Sequence, residues 1–321
     1  MLKKNKMEKN KIKKIVFMGT PDFAVPSLKA LDQNGYKVSI IVTQPDRPKG
    51  RGRKIIPPPV KSAALSLGYN IIQPASVRTD EFAEQMAAIK PDLYIVTAFG
   101  RLLPENILAI PKIGAINLHA SLLPKYRGSA PIQWAIINGE KKTGVTTMLM
   151  NKGLDTGDIL LKDETEILKN DTSSILHDRL AEMGANLLIK TLRKIESDGL
   201  KPLPQDDDQA TYAPLLKKKD GCINWKLPAN SIESFIRGIT PWPGAFTFHK
   251  DKRLKIFKAI AIENDIAENP GKVIKGFPGD LIVGTGKGIL SILEIQSASG
   301  KRLPVKNFLQ GNNIPPGTML G

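Results

Sequence analysis

Ile116-Asn117-Leu118-His119-Ala120-Ser121-Leu122-Leu123-Pro124-Lys125-Tyr126-Arg127-Gly128 is the stretch whose reading decides the fold. Entered from Gly114-Ala115, it begins as a strand. Period-two alternation then sets Asn117 and His119 on one face and Ile116, Leu118 and Ala120 on the other. The apolar approach reads as a buried parallel strand, and in such sheets functional groups gather beyond the strand C-termini. Asn117 and His119 fall there. A polar pair at a strand end can also be hydrogen-bonded trim of the core, and chemistry alone leaves both readings open. Two facts favour function: the chain has only three histidines, and this one is set in a dense run of polar and turn-forming residues.

Working outward, the residues before this strand repeat one pattern. Lys14-Ile15-Val16-Phe17-Met18-Gly19 is an apolar run ending in glycine, and Pro26-Ser27-Leu28-Lys29-Ala30-Leu31 carries a helical pattern to a stop at Asn34-Gly35. Further strands are expected at residues 38–43 and 93–98. Strands alternating with helices predict an α/β domain with a mostly parallel sheet covered on both faces. The first turn fails the dinucleotide fingerprint, because Gly19 is followed by Thr20-Pro21-Asp22-Phe23 and proline removes an N–H that a pyrophosphate would need. The cluster Gly284-Thr285-Gly286-Lys287-Gly288 imitates a phosphate loop. Leu281 stands where its first glycine belongs and Gly288 where Ser or Thr belongs, so a hairpin turn is expected instead.

Beyond the organising stretch, residues 143–150 alternate as a strand, the turn Asn151-Lys152-Gly153 leads into Leu154-Asp155-Thr156-Gly157-Asp158, and Ile159-Leu160-Leu161 resumes a strand. Residues 173–198 form a long amphipathic helix with Thr172 or Ser173 as its cap, and His177 on it reads as structural. Residues 199–212, with Pro202, Pro204 and Asp206-Asp207-Asp208, read as a linker. After it come a helix near 231–238, a turn at Thr240-Pro241-Trp242-Pro243-Gly244 and five short strands separated by turns. This is the pattern of a small closed β-barrel, of which the oligonucleotide-binding fold is one kind. The expected organisation is a lysine-rich disordered head at 1–14, a first domain at 15–198, the linker at 199–212 and a barrel at 213–321.

Charge points to a polyanionic partner. The 321 residues carry 47 Lys+Arg against 31 Asp+Glu, a formal net charge of +16, which attracts nucleic acid through counterion release. Part of that excess is the head, where seven lysines face one acid, Glu8; it lacks the apolar core of a secretory signal and the composition of a transit peptide. The barrel region is basic as well, with Lys250, Lys252 and Arg253 at one hairpin. Between Asp46 and Lys54, Arg47, Lys49, Arg51 and Arg53 alternate with Gly50 and Gly52, which reads as a mobile basic loop over the edge that holds His119. Cys222 is the one cysteine, so neither an internal disulfide nor a cysteine-based metal cluster can form, and a reducing, cytoplasmic setting fits. No apolar run approaches the ~20 residues that span a bilayer.

The run from Asn117 through His119, Ser121-Leu122-Leu123-Pro124 and Tyr126-Arg127-Gly128 to Leu154-Asp155-Thr156-Gly157-Asp158 resembles the signature of folate-dependent formyltransferases. Phe17-Met18-Gly19-Thr20-Pro21-Asp22-Phe23 and Thr43-Gln44-Pro45-Asp46-Arg47-Pro48 match as well, and the likeness extends from Ile15 to the C-terminus. The resemblance implies a Rossmann-like formyltransferase domain followed by a small OB-like β-barrel. It implies 10-formyltetrahydrofolate as donor and initiator methionyl-tRNA as acceptor. Asn117, His119 and Asp155 then carry the chemistry, Ser121, Leu122, Leu123 and Pro124 line the folate site, the backbone of Phe99-Gly100-Arg101-Leu102-Leu103-Pro104 lines the pterin pocket, and Arg51 contacts the tRNA acceptor end.

Formyl transfer sets three tasks: stabilise an oxyanion, take a proton from the attacking amine, and protonate the leaving nitrogen. The Asn117 amide can donate to the oxyanion. His119 is suited to the proton work and can also donate to the oxyanion. Asp155 would hold the imidazole, directly or through water, or accept the proton itself. On chemistry alone Asp158 competes for that role, and the family match selects Asp155. No metal ligand set is visible, no obligate protein partner is evident, and a monomer is expected. Two other readings compete: a formyltransferase acting on a sugar-nucleotide amine, and a nucleic-acid-binding module with relic catalytic residues. The first predicts binding insensitive to salt.

Overall fold

The computed structural model describes residues 11–49, 52, 54–197, 200–263, 269–276 and 278–321. By packing the chain forms two units. One holds the described residues up to Gly128 with Gly144–Thr165 and His177–Tyr212; the other holds Ser129–Thr143, Glu166–Leu176 and Ala213–Gly321. The second unit thus takes two segments from within the stretch 15–198; in the first of them Trp134 and Ile137 pack with its core.

In chain order the elements are β1 (Ile15–Gly19), α1 (Val25–Gln33), β2 (Val38–Val42), β3 (Arg47–Lys49), β4 (Lys54–Ile56), α2 (Pro59–Ser66), β5 (Ile71–Ile72), α3 (Asp80–Ile89), β6 (Leu93–Thr97), α4 (Glu105–Leu108) and β7 (Gly114–His119). Then come α5 (Pro131–Ile137), grouped with the second unit, β8 (Lys142–Leu149), β9 (Ile159–Glu166) and α6 (Ser173–Ser197). The seven-stranded sheet runs β5-β2-β1-β6-β7-β8-β9. Pairing is parallel from β5 through β7 and turns antiparallel at β8.

Alternation distributes the core over two faces. Ile15, Phe17, Ile41, Leu93, Ile95 and Ile116 meet Leu28 and Leu31 of α1, Val60 of α2 and Leu188 and Leu192 of α6. Val16, Met18, Val42, Tyr94, Val96 and Ala115 meet Phe82 and Met86 of α3 and Ile107 of α4. Burial of each valine, leucine, isoleucine, phenylalanine or methionine among them contributes about 1.5–3 kcal/mol. Asn117 and His119 therefore continue the face of Ala115, as period two requires. At the end of β1 the chain can only be glycine: a Cβ on Gly19 would stand 2.8 Å from the Phe17 ring, 2.9 Å from the Ala24 methyl and 3.1 Å from the Thr97 carbonyl. Thr79 caps α3 by accepting the Phe82 N–H at 3.3 Å, with Asp80 and Glu81 in the first turn where the helix dipole favours them.

The basic segment after β2 is entered and left by two short strands. Its arms β3 and β4 pair as an antiparallel ribbon through Arg47↔Ile56 and Lys49↔Lys54. Arg51, the residue expected to contact tRNA, lies outside the described residues, as does most of the lysine-rich head.

The second unit contains α5, α7 (Ala229–Gly238), β10 (Ala245–His249), β11 (Lys252–Ile262), β12 (Val273–Lys275), β13 (Leu281–Gly284), β14 (Ile289–Ser297), β15 (Leu303–Pro304) and α8 (Val305–Gln310). Its antiparallel sheet runs β10-β11-β14-β13-β12, with β15 on β14. As expected, this is an OB-like β-structure, a sheet curled into a half-barrel whose outer strands β10 and β12 do not pair with each other among the described residues. The C-terminal residues span that gap. On one side Val273 N–H donates to the Thr318 carbonyl at 2.8 Å and Leu320 N–H to the Gly271 carbonyl at 2.8 Å; on the other Gly321 N–H donates to the Phe248 carbonyl at 3.1 Å. In β11 the inward residues are Leu254 and Ile256, then Ala259, and a register shift around Lys258 accounts for the change of phase. The glycine cluster at 284–288 is the β13–β14 hairpin turn, as its flanking residues predicted. Among the described residues no helix is long and apolar enough to cross a membrane.

Candidate active site

Beyond the C-terminal end of β7, three polar side chains converge within the first unit. His119 is the last residue of β7, with 7% of its side chain exposed, and Asp155 stands on the turn between β8 and β9 with 11% exposed. Asn117 Nδ2 donates to Asp155 Oδ1 at 3.3 Å. Asp155 Oδ2 accepts the Gly128 N–H at 2.8 Å and lies 3.7 Å from His119 Nδ1. The last distance is an electrostatic contact and exceeds a hydrogen bond. His119 Nε2 is 3.0 Å from the Tyr126 carbonyl, which can only accept, so Nε2 carries the ring hydrogen and Nδ1 of a neutral ring presents its lone pair toward the carboxylate. Asp158, the competitor for the carboxylate role, makes no contact with His119 that matches those of Asp155 among the described residues.

The loops that hold these groups are unusually shaped. Asp155 has φ of 54° and Tyr126 has φ of 61°, both in the left-handed region that L residues avoid. Each is braced by a segment that composition alone suggested was a linker. Thr211 Oγ1 accepts the Tyr126 N–H at 2.8 Å and the Thr211 carbonyl accepts the Arg127 N–H at 2.8 Å. Leu203 exchanges two backbone hydrogen bonds with Ile159, at 2.8 and 2.9 Å. Gln205 Nε2 donates to the carbonyls of Asp155 at 2.8 Å and Gly157 at 2.7 Å. These supports escaped the sequence reading because Pro, Gln and Asp in a non-periodic run carry no pattern that distinguishes a strap from a tether.

The expected folate-lining residues divide. Ser121 is fully buried and its Oγ donates to the Lys125 carbonyl at 2.6 Å; Leu123 is fully buried with Met148 and Ile159. Neither side chain is available to a ligand as the loop stands. Leu122 and Pro124 are half-buried. The Lys162 ammonium donates to the Leu123 carbonyl, and desolvation lowers the pKa of that ammonium below the ordinary lysine value. Against the Asp155 turn lies a small cavity of about 30 Å³ walled by Leu102, Leu103, Met148, Met150 and Leu154 and bounded by Asp155. Leu102 and Leu103 belong to the segment expected to line a pterin pocket, and Leu154 opens the signature turn, whereas Met150 was read only as part of a strand. Among the described residues no group of three or more His, Cys, Asp or Glu is gathered as a metal ion would require.

The family model described as formyl transferase matches residues 13–192, and the one described as formyl transferase C-terminal domain matches residues 215–313. The chain belongs to the formyl transferase family. Among curated formyltransferases it is 52% identical over 308 residues to the methionyl-tRNA formyltransferase of Caldanaerobacter subterraneus, covering 96% of this chain and 99% of that one. It is 48% identical over 307 residues to that of Syntrophus aciditrophicus, covering 96% and 98%. Among solved formyltransferases, the N-formyltransferase from Helicobacter canadensis in complex with folinic acid and dTDP-3-aminofucose superimposes with a TM-score of 0.67 at 22% identity, covering 91% of this chain and all of that one. That likeness concerns the fold.

Proposed function

We propose that the chain transfers the formyl group of 10-formyltetrahydrofolate to the amino group of methionyl initiator tRNA, giving the formylated aminoacyl-tRNA used to start translation in the cytoplasm. The observation that carries the reading is the convergence of Asn117, His119 and Asp155 at the end of β7, in a chain about half identical to methionyl-tRNA formyltransferases over nearly its whole length. The sugar-amine alternative draws on a likeness of fold at 22% identity.

In the proposed mechanism the amine nitrogen bonds to the formyl carbon and the carbonyl electron pair moves onto oxygen. The Asn117 amide has two hydrogens and Asp155 takes one, so the other can meet the oxyanion, an interaction worth roughly 3 kcal/mol in comparable sites. The amine's proton passes to His119 Nδ1, where the imidazolium that forms faces the Asp155 carboxylate. Collapse of the adduct breaks the bond to the donor nitrogen, which keeps the electron pair and receives the proton. The leucine and methionine side chains around the Asp155 turn give a pterin an apolar wall beside Asp155, Leu122 and Pro124 extend it, and the buried Ser121 and Leu123 hold the loop that carries those two in place. Residues 15–198 would carry this chemistry, and the basic residues 213–321 together with Arg51 would hold tRNA.

The test is to incubate the protein with 10-formyltetrahydrofolate and initiator tRNA, charged with methionine or uncharged. Formylation of the charged species alone is expected. Its absence would refute the reading.

A further inference from the structure

Resting on that reading of the site, we infer that Gln205 is a positioning residue for formyl transfer, the cross-brace that holds the two loops on which His119 and Asp155 depend. Its side-chain amide is saturated. Nε2 donates to the Asp155 carbonyl at 2.8 Å and the Gly157 carbonyl at 2.7 Å, and Oε1 accepts from Arg127 Nε at 3.1 Å and Nη2 at 2.8 Å. The orientation of the amide follows from its partners, since a guanidinium only donates and carbonyls only accept.

Each partner sits beside the reacting groups. Asp155 is itself in the left-handed conformation that L residues avoid, so the carbonyl on which Gln205 pulls helps to define where the carboxylate points. Arg127 precedes Gly128, whose N–H holds Asp155 Oδ2, and follows Tyr126, whose carbonyl fixes His119. The Arg127 side chain is 3% exposed, and its guanidinium also donates to the exposed Asp207 at 2.7 Å. Gln205, half-buried, is thus the group through which the Tyr126–Gly128 loop and the Asp155–Gly157 turn share a side chain, and it touches neither imidazole nor carboxylate.

Gln205→Glu separates these functions. A carboxylate of the same shape still accepts from Arg127 but donates nothing to the two carbonyls. With 10-formyltetrahydrofolate and methionyl-tRNA, kcat should fall about tenfold or more while both KM values stay within about twofold, as expected when a reacting group is misplaced without loss of binding. In an Asp155→Asn background the same change should cost less than about twofold, because the group it positions has already lost its charge. The ring nitrogen resonances of His119 should shift in Gln205→Glu, while those of His177 and His249 stay in place. Gln205→Met, which keeps the length and removes every hydrogen bond, should behave alike. Full activity of both variants, equal losses in the two backgrounds or an unmoved His119 resonance would overturn the assignment; so would failure of both variants to fold, which would make Gln205 a folding residue. If the unmodified chain leaves methionyl-tRNA unformylated, the functional reading falls and the His119 resonance still decides the role of Gln205.

Discussion

Asp155 is tethered to Gly128: its Oδ2 accepts that N–H at 2.8 Å and stands 3.7 Å from His119 Nδ1. The carboxylate is therefore held in place by the main chain and is not anchored by the imidazole it faces. A neutral His119 with its hydrogen on Nε2 meets Asp155 lone pair to lone pair, and gaining a proton at Nδ1 converts that opposition into attraction.

Asp155→Asn keeps an oxygen for the Gly128 N–H and removes the charge that stabilises an imidazolium. In single-turnover formylation its rate should fall by about 10² to 10⁴, the range for loss of general acid–base function, and His119→Ala should fall at least as far. Unchanged turnover in either variant would remove the pair from the chemistry.

Asn117→Ala deletes the candidate oxyanion donor and one of the Asp155 contacts. A loss of about 10² to 10³ in kcat is expected, with the unfolding midpoint little changed because Asn117 is only partly buried. A large drop in stability with normal specific activity would assign Asn117 to packing instead.

The parallel sheet and the position of Asn117 and His119 were legible because alternation and apolar runs encode which face is buried. Ile116 and Leu118 declare it, and the structure puts Ile116 in the core with α1, α2 and α6. The turn bearing Asp155 was legible only through motif resemblance, since nothing periodic ties residue 155 to residue 117. The closure of the curled sheet by Gly317–Gly321 and the bracing by Gln205 and Thr211 were not legible. Both are made by irregular backbone whose partners lie far away in sequence, and local pattern carries no signal for such pairings.

Gly19→Ala should destabilise the first unit. The new methyl would meet the Phe17 ring, the Ala24 methyl and the Thr97 carbonyl all within 3.1 Å, and the Thr97 carbonyl is backbone of the adjacent strand that cannot step aside. Overpacking of this kind costs about 1–3 kcal/mol, measurable by chemical denaturation. Wild-type stability would show that the end of β1 has slack.

Asp92 makes stability depend on acid. Burial works to raise its carboxyl, but the Lys112 ammonium at 3.0 Å and the N–H groups of Lys13 and Lys14, both at 2.9 Å, outweigh it and hold the group below its ordinary 3.8. A depressed carboxylate contributes stability that is complete above its unfolded value and is lost as pH falls through the lower folded value. Asp92→Asn should therefore be less stable than the unmodified chain at neutral pH, and the difference should shrink as pH drops below about 4. A constant difference across that window would contradict the sign.

The β10–β11 hairpin offers the clearest test of tRNA engagement by the second unit. Lys250 and Asp251 take φ of 48° and 61°, the two-residue turn that matches strand twist, and they bring Lys250, Lys252 and Arg253 together at its tip. The Arg253 guanidinium carbon lies 4.5 Å from the Phe246 ring centroid, so its charged head is held over an aromatic face, while Lys250 and Lys252 are exposed. Asn suits the left-handed backbone at position 250, which makes Lys250→Asn with Lys252→Gln a change of charge with little change of shape. If these lysines neutralise phosphates, the pair should lower the slope of log affinity against log salt by about 0.7 to 0.9 per contact removed and weaken tRNA binding at low salt. Turnover at saturating tRNA should stay close to that of the unmodified chain, because neither lysine belongs to the group at the end of β7. An unchanged slope would place the tRNA elsewhere on the protein.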